Sequence, residues 1–503
     1  MRRLILGCVC ALFIYANVYS QFQLPEMVKN NEPAIFKNST TYLDSAELDL
    51  FINETMSAYH IPGLAACAVK NGQIYWTGSY GYANIEENIE VTDSTLFLLA
   101  SVSKPFTATA LMQLWEQGLF NLDDNINDYL APELQVQNPL FPDDAITFRM
   151  LLTHTSSIKD NWALMTILFS MGEDSPIPLK SLLIDYFTPG GTYYNATANF
   201  NNWAPGTGWD YSNAGYALAG YMVEAMTDSV TTFDKYCQDS IFTPLGMNKT
   251  SWFLANLNID DIAVPYNYSG AFIPYGHYGF PVYPAGQLRS NTLQLASFLT
   301  AYLQKGELNG VRILESSTVD LMTTIQNTDV APTQGLSWFI YNNYGKLLHG
   351  HGGATLGTRT DLSYCPAQDL GVIVLTNGES GTGLYLIVEK IYEFVDIADK
   401  VVTAFDNAPL TFVLHQNYPN PFNTTTIINY NLPIIYNIEL TIFNTAGQKV
   451  ITLASGKQEK GNYNYEWDGA GLPSGVYYYR IAANAPGEIG RSFVQTKKLV
   501  LLK

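Results

Sequence analysis

Ser101 and Lys104 stand three residues apart in Leu99-Ala100-Ser101-Val102-Ser103-Lys104-Pro105-Phe106. The apolar positions behind them, Phe106, Ala110, Leu111, Leu114 and Trp115, recur at helical spacing and predict one core-facing stripe, with Gly118 as its stop. Residues three apart on a helix share a face, so a hydroxyl and an amine would meet there. That pair can act as nucleophile and base in the Ser-Lys form of serine hydrolysis. Spacing alone does not assign the role, because Ser156 and Lys159 repeat it.

Two later segments hold further candidates. One is Pro205-Gly206-Thr207-Gly208-Trp209-Asp210-Tyr211-Ser212-Asn213-Ala214-Gly215-Tyr216; the other is His349-Gly350-His351-Gly352-Gly353-Ala354-Thr355. Taken singly they say little: Tyr82, Tyr193 and Tyr341 also open Tyr-x-Asn triplets. Their order behind Ser101 carries the weight. His154 reads as a structural hydrogen-bonder. His349 is assigned to the opposite strand face from His351, as an accessory. Asp123-Asp124 reads as a helix start. No His-Glu-x-x-His and no phosphate-binding glycine loop is present, so no metal or cofactor is expected.

These residues need positioning elements. The 503 residues are too many for one typical domain. Ser45 caps a predicted helix over about 46–59, and Gly63–Val69 and Ile74–Gly78 form a hairpin about Asn71-Gly72. The middle of the chain is helical and loop-rich. Helices are predicted over Tyr216–Met226, Leu293–Leu303 and Leu384–Phe394, and strands over Leu336–Tyr341, Leu347–Gly353, Leu362–Tyr364 and Gly371–Thr376. This order predicts one α+β domain whose antiparallel sheet joins both chain ends. Residues 157–206 read equally as a lid or as surface packing. After about residue 400 the composition shifts to a Pro-rich entry, Asn417–Asn423, and alternating strands such as Ile438-Leu440-Ile442, which predict a small all-β sandwich.

Asp and Glu number 45 against 26 Lys and Arg, without a basic stripe, which argues against nucleic acid. Arg2-Arg3, the apolar Leu4–Tyr15 and Val18-Tyr19-Ser20 read as an export signal over 1–20; a membrane anchor is the alternative. Beyond Cys8 and Cys10, the cysteines Cys67, Cys237 and Cys365 lack metal-ligand spacing, and Cys67 reads as a buried thiol.

Together the motifs resemble the serine hydrolase family of class C β-lactamases, D-alanyl-D-alanine carboxypeptidases, D-aminopeptidases and related esterases. Leu151-Leu152-Thr153-His154-Thr155-Ser156 and Pro284-Ala285-Gly286 add to the likeness, which covers about 44–396. The resemblance implies a β-lactamase/transpeptidase-like fold: an antiparallel sheet flanked by helices, plus a helical lobe. It implies Ser101 as nucleophile, with Lys104 and Tyr211 sharing proton transfer; the residues leave open which is the base. Asn213, His351, Gly353 and Ala354 would bind substrate, with the Ser101 and Ala354 N–H groups as oxyanion hole. Gly352 and Gly353 would let substrate approach their strand. His351, where β-lactamases carry lysine, points to carboxypeptidase, aminopeptidase or esterase branches. A histidine there meets a carboxylate as a cation or donates to a carbonyl as a neutral ring. The expected substrate is a D-amino-acid peptide or amide, or a small ester; a β-lactamase or a silent surface-binding scaffold are the alternatives. The tail, 414–503 after a linker over 397–413, resembles the type IX secretion sorting domain through Asn417–Asn423, Tyr465–Gly469, Leu472–Tyr477 and Lys497–Leu499. This implies outer-membrane secretion machinery as partner and a secreted or surface location after periplasmic passage. A sugar- or surface-binding module is the alternative.

Overall fold

The computed structural model describes residues 45–227, 231–404, 412–459, 461–484 and 492–503. The expected export signal lies outside them. Two compact units are present, residues 1–395 and 396–503.

In the first unit, helix α1 (Ser45–Ala58) leads into strands β1 (Gly63–Lys70), β2 (Gln73–Asn84) and β3 (Ile89–Glu90). A turn at Ala100–Ser103 then passes directly into helix α2 (Lys104–Glu116). Helices α3 (Asn213–Met226) and α4 (Thr292–Leu303) belong to the middle of the chain. Strands β4 (Phe339–Asn343), β5 (Lys346–Thr355), β6 (Thr358–Cys365) and β7 (Leu370–Thr376) precede helix α5 (Gly381–Ala404).

The seven strands form one sheet in the order β4-β5-β6-β7-β1-β2-β3. Every pairing is antiparallel, and β1 lies against β7 with Leu64 opposite Thr376. The sheet therefore joins early and late chain, as the element order predicts. Its strands bury both faces. On β1, Leu64, Ala66 and Ala68 pack with Leu48 and Ile52 of α1 and Ile387 and Ile391 of α5. Ala65, Cys67 and Val69 face the larger core shared with α2, α3 and α4. This two-sided burial explains the near-continuous apolar runs in β1 and β7.

Some elements differ from expectation. Residues 104–114 of α2 are all buried, so this helix is surrounded by core rather than striped. Its small Thr107, Ala108 and Thr109, outside the predicted stripe, are buried as well, with Thr107 Oγ1 donating to Pro284 O and Thr109 Oγ1 meeting Tyr302 Oη. Gly118 does lie beyond the helix end, with φ of 73°. Helix α3 begins three residues earlier than predicted, because the Ser212 side chain accepts from Gly215 N and caps it. Helix α5 runs through Ala404, into the stretch read as linker, since no Gly or Pro interrupts 384–404. Residues 157–206 are folded into the helical lobe. The buried Asn199 amide donates to the carbonyls of Tyr186 and Tyr193, and Ser170–Met171 pairs with Tyr278–Gly279.

The second unit is all β. Strands β8 (Val413–Leu414), β9 (Thr425–Leu432) and β12 (Gly461–Asp468) make one sheet, in the order β8-β9-β12. Strands β10 (Tyr436–Asn444), β11 (Lys449–Gln458), β13 (Gly475–Asn484) and β14 (Ser492–Leu501) make the other, in the order β11-β10-β13-β14. Ile438, Leu440 and Ile442 face a shared core with Tyr479, Ile481 and Trp467.

Candidate active site

Ser101 sits on the turn before α2, not inside the helix. The preceding Ala100 has φ of 49°, a left-handed conformation that costs a non-glycine residue roughly 1 kcal/mol or more. Its neighbours hold it: Leu99 N donates to Leu288 O, and Thr360 Oγ1 donates to Leu99 O at 2.7 Å. Ser103 Oγ accepts from Leu288 N on the other side of the turn. The strained turn is thus fixed by β6 and by the segment after Pro284.

Lys104 opens α2 and is fully buried. Its Nζ lies 3.1 Å from Ser101 Oγ, 2.7 Å from Asn213 Oδ1 and 2.7 Å from Ala285 O. Pro284-Ala285-Gly286 therefore contributes a backbone carbonyl. The amine also stands 4.7 Å from the Tyr211 ring centre and 5.5 Å from that of Tyr216. Burial drives the Lys104 amine well below the ordinary lysine range, and Asp160 pulls it partly back. Burial pushes the Tyr211 phenol well above its usual range, opposed by hydrogen bonding to Ser101. Both shifts favour the uncharged pair, amine and phenol.

Asn213 is the first residue of α3, and Tyr211 precedes its cap. His154 Nδ1 accepts from Ser212 N at 3.1 Å, and its ring stacks on Tyr211 at 4.2 Å. His154 thus holds the backbone between Tyr211 and Asn213, the structural role predicted for it. Burial keeps it neutral.

Strand β4 begins opposite Gly350, so residues 351–355 of β5 pair with β6 alone. Among the described residues, this leaves one backbone edge of β5, including Ala354, without a partner strand. His351 Nδ1 lies 2.7 Å from Gly352 O. A carbonyl only accepts, so Nδ1 carries the proton. Burial, reinforced by Lys104, lowers the imidazole to about 3, so the ring is neutral and Nε2 is an acceptor. Nε2 is buried, with no hydrogen-bond partner among the described residues. The neutral ring thus presents a lone pair here, not the donor that the sequence allows.

Two expectations change. His349 lies on the same face as His351, because residues two apart on a strand share a face; its ring packs on Tyr364 in the larger core. Gly352 and Gly353 make room for the protein itself: a Cβ would meet Tyr385 Oη at Gly352 and Leu99 O at Gly353. Ser156 and Lys159 form no second pair, since Ser156 is buried while Lys159 is exposed. Asp123 pairs with Arg149 and Asp124 accepts from Asn121 N and Tyr129 Oη.

Sequence reasoning missed Asp160. It is buried beside Lys104 and accepts from Asn213 N at 3.0 Å, Asn213 Nδ2 at 2.7 Å, Ala214 N at 2.9 Å and Ser212 Oγ at 3.3 Å. Burial raises its carboxyl, and the donors from Ala214 and Asn213 work against that. A lone acid in a loop offers no pattern; its only signal is closeness to Thr153–Ser156.

Comparisons with known proteins agree with this architecture. The Beta-lactamase family model matches residues 48–387, and the Secretion system C-terminal sorting domain model matches 416–497. Protein flp of Staphylococcus aureus is 24% identical over 391 residues, which span 77% of this chain and 72% of that protein. Penicillin-binding protein 4* of Bacillus subtilis is 31% identical over 220 residues, 43% of this chain and 44% of that one. The octameric penicillin-binding protein homologue of Pyrococcus abyssi superposes with a TM-score of 0.58 at 22% identity, covering 90% of this chain and 96% of its own. D-amino acid amidase of Ochrobactrum anthropi SV3 gives 0.53 at 21% identity, over 71% and 99%. These structural likenesses concern the fold.

Proposed function

The chain belongs to the β-lactamase family of serine hydrolases and ends in a secretion-system sorting domain, and from that premise we propose that it hydrolyses amides or small esters of D-amino acids through an acyl-enzyme on Ser101. The observation that carries this reading is the coordination of Lys104. Two of its Nζ contacts are carbonyl oxygens, Asn213 Oδ1 and Ala285 O, which take two N–H bonds. The remaining direction points at Ser101 Oγ. A neutral amine held this way aims its lone pair at the hydroxyl.

Lys104 takes the Ser101 proton as Oγ bonds to the substrate carbonyl carbon. The Ser101 and Ala354 N–H groups hold the resulting oxyanion; one such donor is typically worth on the order of 10² to 10³ in rate. Collapse breaks the bond to the leaving amine or alcohol, which takes a proton through Tyr211 or from Lys104. Water then repeats the cycle on the acyl-enzyme.

His351 supports this substrate class. A neutral ring whose buried Nε2 holds an unused lone pair gives no charge to a carboxylate. Carboxypeptidase and β-lactam substrates both carry one, so amides and esters that present a hydrogen-bond donor are the better match. The sorting domain supports export through an outer-membrane secretion machinery to the medium or cell surface.

A fluorophosphonate probe followed by intact-mass measurement tests the chemistry: one adduct on the folded chain and none on Ser101→Ala is expected, and equal labelling of both sinks it. A panel of D-amino-acid amides, p-nitrophenyl esters, D-Ala-D-Ala peptides and a chromogenic cephalosporin tests the class. Turnover led by the last two would overturn the reading.

A further inference from the structure

We propose that Asp160 is a positioning residue that fixes the Asn213 amide so that Lys104 keeps its lone pair on Ser101, an inference that rests on the acyl-enzyme reading above. An ionised carboxylate only accepts hydrogen bonds. The amide end that faces Asp160 Oδ2 at 2.7 Å must therefore be the Nδ2 amino group. This turns Oδ1 toward Lys104, which it meets at 2.7 Å. The backbone N–H groups of Asn213 and Ala214 and the Ser212 hydroxyl bind the same carboxylate, so it is anchored across the first turn of α3. The positive end of that helix favours the ionised form.

The consequence runs through the amine. A neutral lysine has two N–H bonds and one lone pair. Asn213 Oδ1 and Ala285 O accept the two N–H bonds. Reversal of the Asn213 amide would present its N–H group to Nζ. The lone pair would then turn to Asn213, and Ser101 would lose its proton acceptor. Asp160 forbids that reversal, because its carboxylate cannot donate to Oδ1. It touches neither Ser101 nor any atom that reacts. It also places a negative charge near the amine, alongside the other groups around Lys104: Ser101, Tyr211, Tyr216, His154 and His351.

The test compares Asp160→Asn, Asp160→Glu, Asn213→Ala and the Asp160→Asn/Asn213→Ala double variant as full-length chains. Acylation by a p-nitrophenyl ester is followed by its burst across pH, with melting temperature as the folding control. Asp160→Asn is expected to slow acylation on the order of 10²-fold with KM little changed. The acid limb of the profile should move to lower pH, because loss of the carboxylate no longer supports the ammonium form. Asp160→Glu should recover part of the rate. In the Asn213→Ala background, Asp160→Asn should add no further loss. Wild-type acylation by Asp160→Asn overturns the proposal, as does an additive loss in the double variant or a rate loss with an unmoved acid limb. Should Asp160→Asn fail to fold, the cycle of Asp160→Glu with Asn213→Ala measures the same coupling and decides in the same way. NMR titration of the Lys104 amine, expected to fall in Asp160→Asn, needs no substrate. It separates failure of this proposal from failure of the acyl-enzyme reading, which the unlabelled wild type would reveal.

Discussion

Gly353 and Leu99 meet so closely that a Cβ on the glycine would stand 2.3 Å from the Leu99 carbonyl oxygen. The same Cβ would lie 2.2 Å from Thr360 Oγ1, which itself donates to Leu99 O. Neither atom can retreat without breaking that bond and loosening the left-handed turn at Ala100. Gly353→Ala should therefore cost about 1–3 kcal/mol of stability and displace Ser101 from the β5 edge. The expected result is a lower melting temperature and fluorophosphonate labelling slowed at least about tenfold. A variant that labels at the wild-type rate would show that strand and turn are not coupled.

Much of this arrangement is legible in the sequence because it is written in short-range patterns. The hairpin about Asn71-Gly72 has φ of 50° and 71° at those residues, as its turn chemistry requires. Ser101, Lys104, Tyr211, Asn213 and His351 lie in motifs, and the fold brings them together around one amine. What spacing does not reveal is long-range. Asp160 matters only because α3 starts beside it. The all-round burial of α2 depends on neighbours distant in sequence, such as Phe242, Pro284, Phe298 and Tyr302. The face of His349 is legible after all, since a period of two puts it with His351 rather than opposite. Gly352 and Gly353 suggest an approach for substrate, whereas their space is used by Tyr385 and Leu99.

His351 should stay neutral throughout the working pH range. Its folded value of about 3 lies below the 6.5 of an exposed imidazole. The unfolded chain takes up this proton as pH falls through 6.5, while the folded chain does so only near 3. The stability from this group is thus full above 6.5 and is lost as pH falls toward 3. His351→Gln should show a flatter loss of stability between pH 6.5 and 4 in urea titrations. Imidazole NMR of the folded wild type should show an uncharged ring at pH 5, and a charged one there would contradict the acceptor role of Nε2.

Cys67, Cys237 and Cys365 are all free and buried. Burial pushes the Cys67 and Cys237 thiols upward, away from the reactive thiolate. The folded chain should react with a disulfide reagent at none of these thiols over minutes, then at all of them in guanidinium. Reducing agent should leave the melting temperature unchanged. A melting shift on reduction would reveal a disulfide and refute the assignment.

Asp361 is buried on the face of β6 that meets α5, opposite Gly352 on β5. Ser363 Oγ donates to it at 2.7 Å, and Tyr392 Oη donates in turn to Ser363 Oγ. Tyr341, Tyr344 and Tyr385 lie near enough for its charge to raise their phenols further. Burial lifts the carboxyl from 3.8 to about 7, with the Ser363 bond opposing. The folded value exceeds the unfolded one, so the stability tied to the protonated acid is full below about 4 and is lost as pH rises through about 7. Asp361→Asn keeps an acceptor for Ser363 and cannot ionise. It should match the wild type at pH 4 and exceed it at pH 8.5 by up to about 4 kcal/mol, read from urea midpoints of the full chain. Because Asp361 faces away from Ser101, the substitution should leave fluorophosphonate labelling unchanged at pH 6. An equal stability difference at both pH values would place the effect in packing rather than in the buried charge.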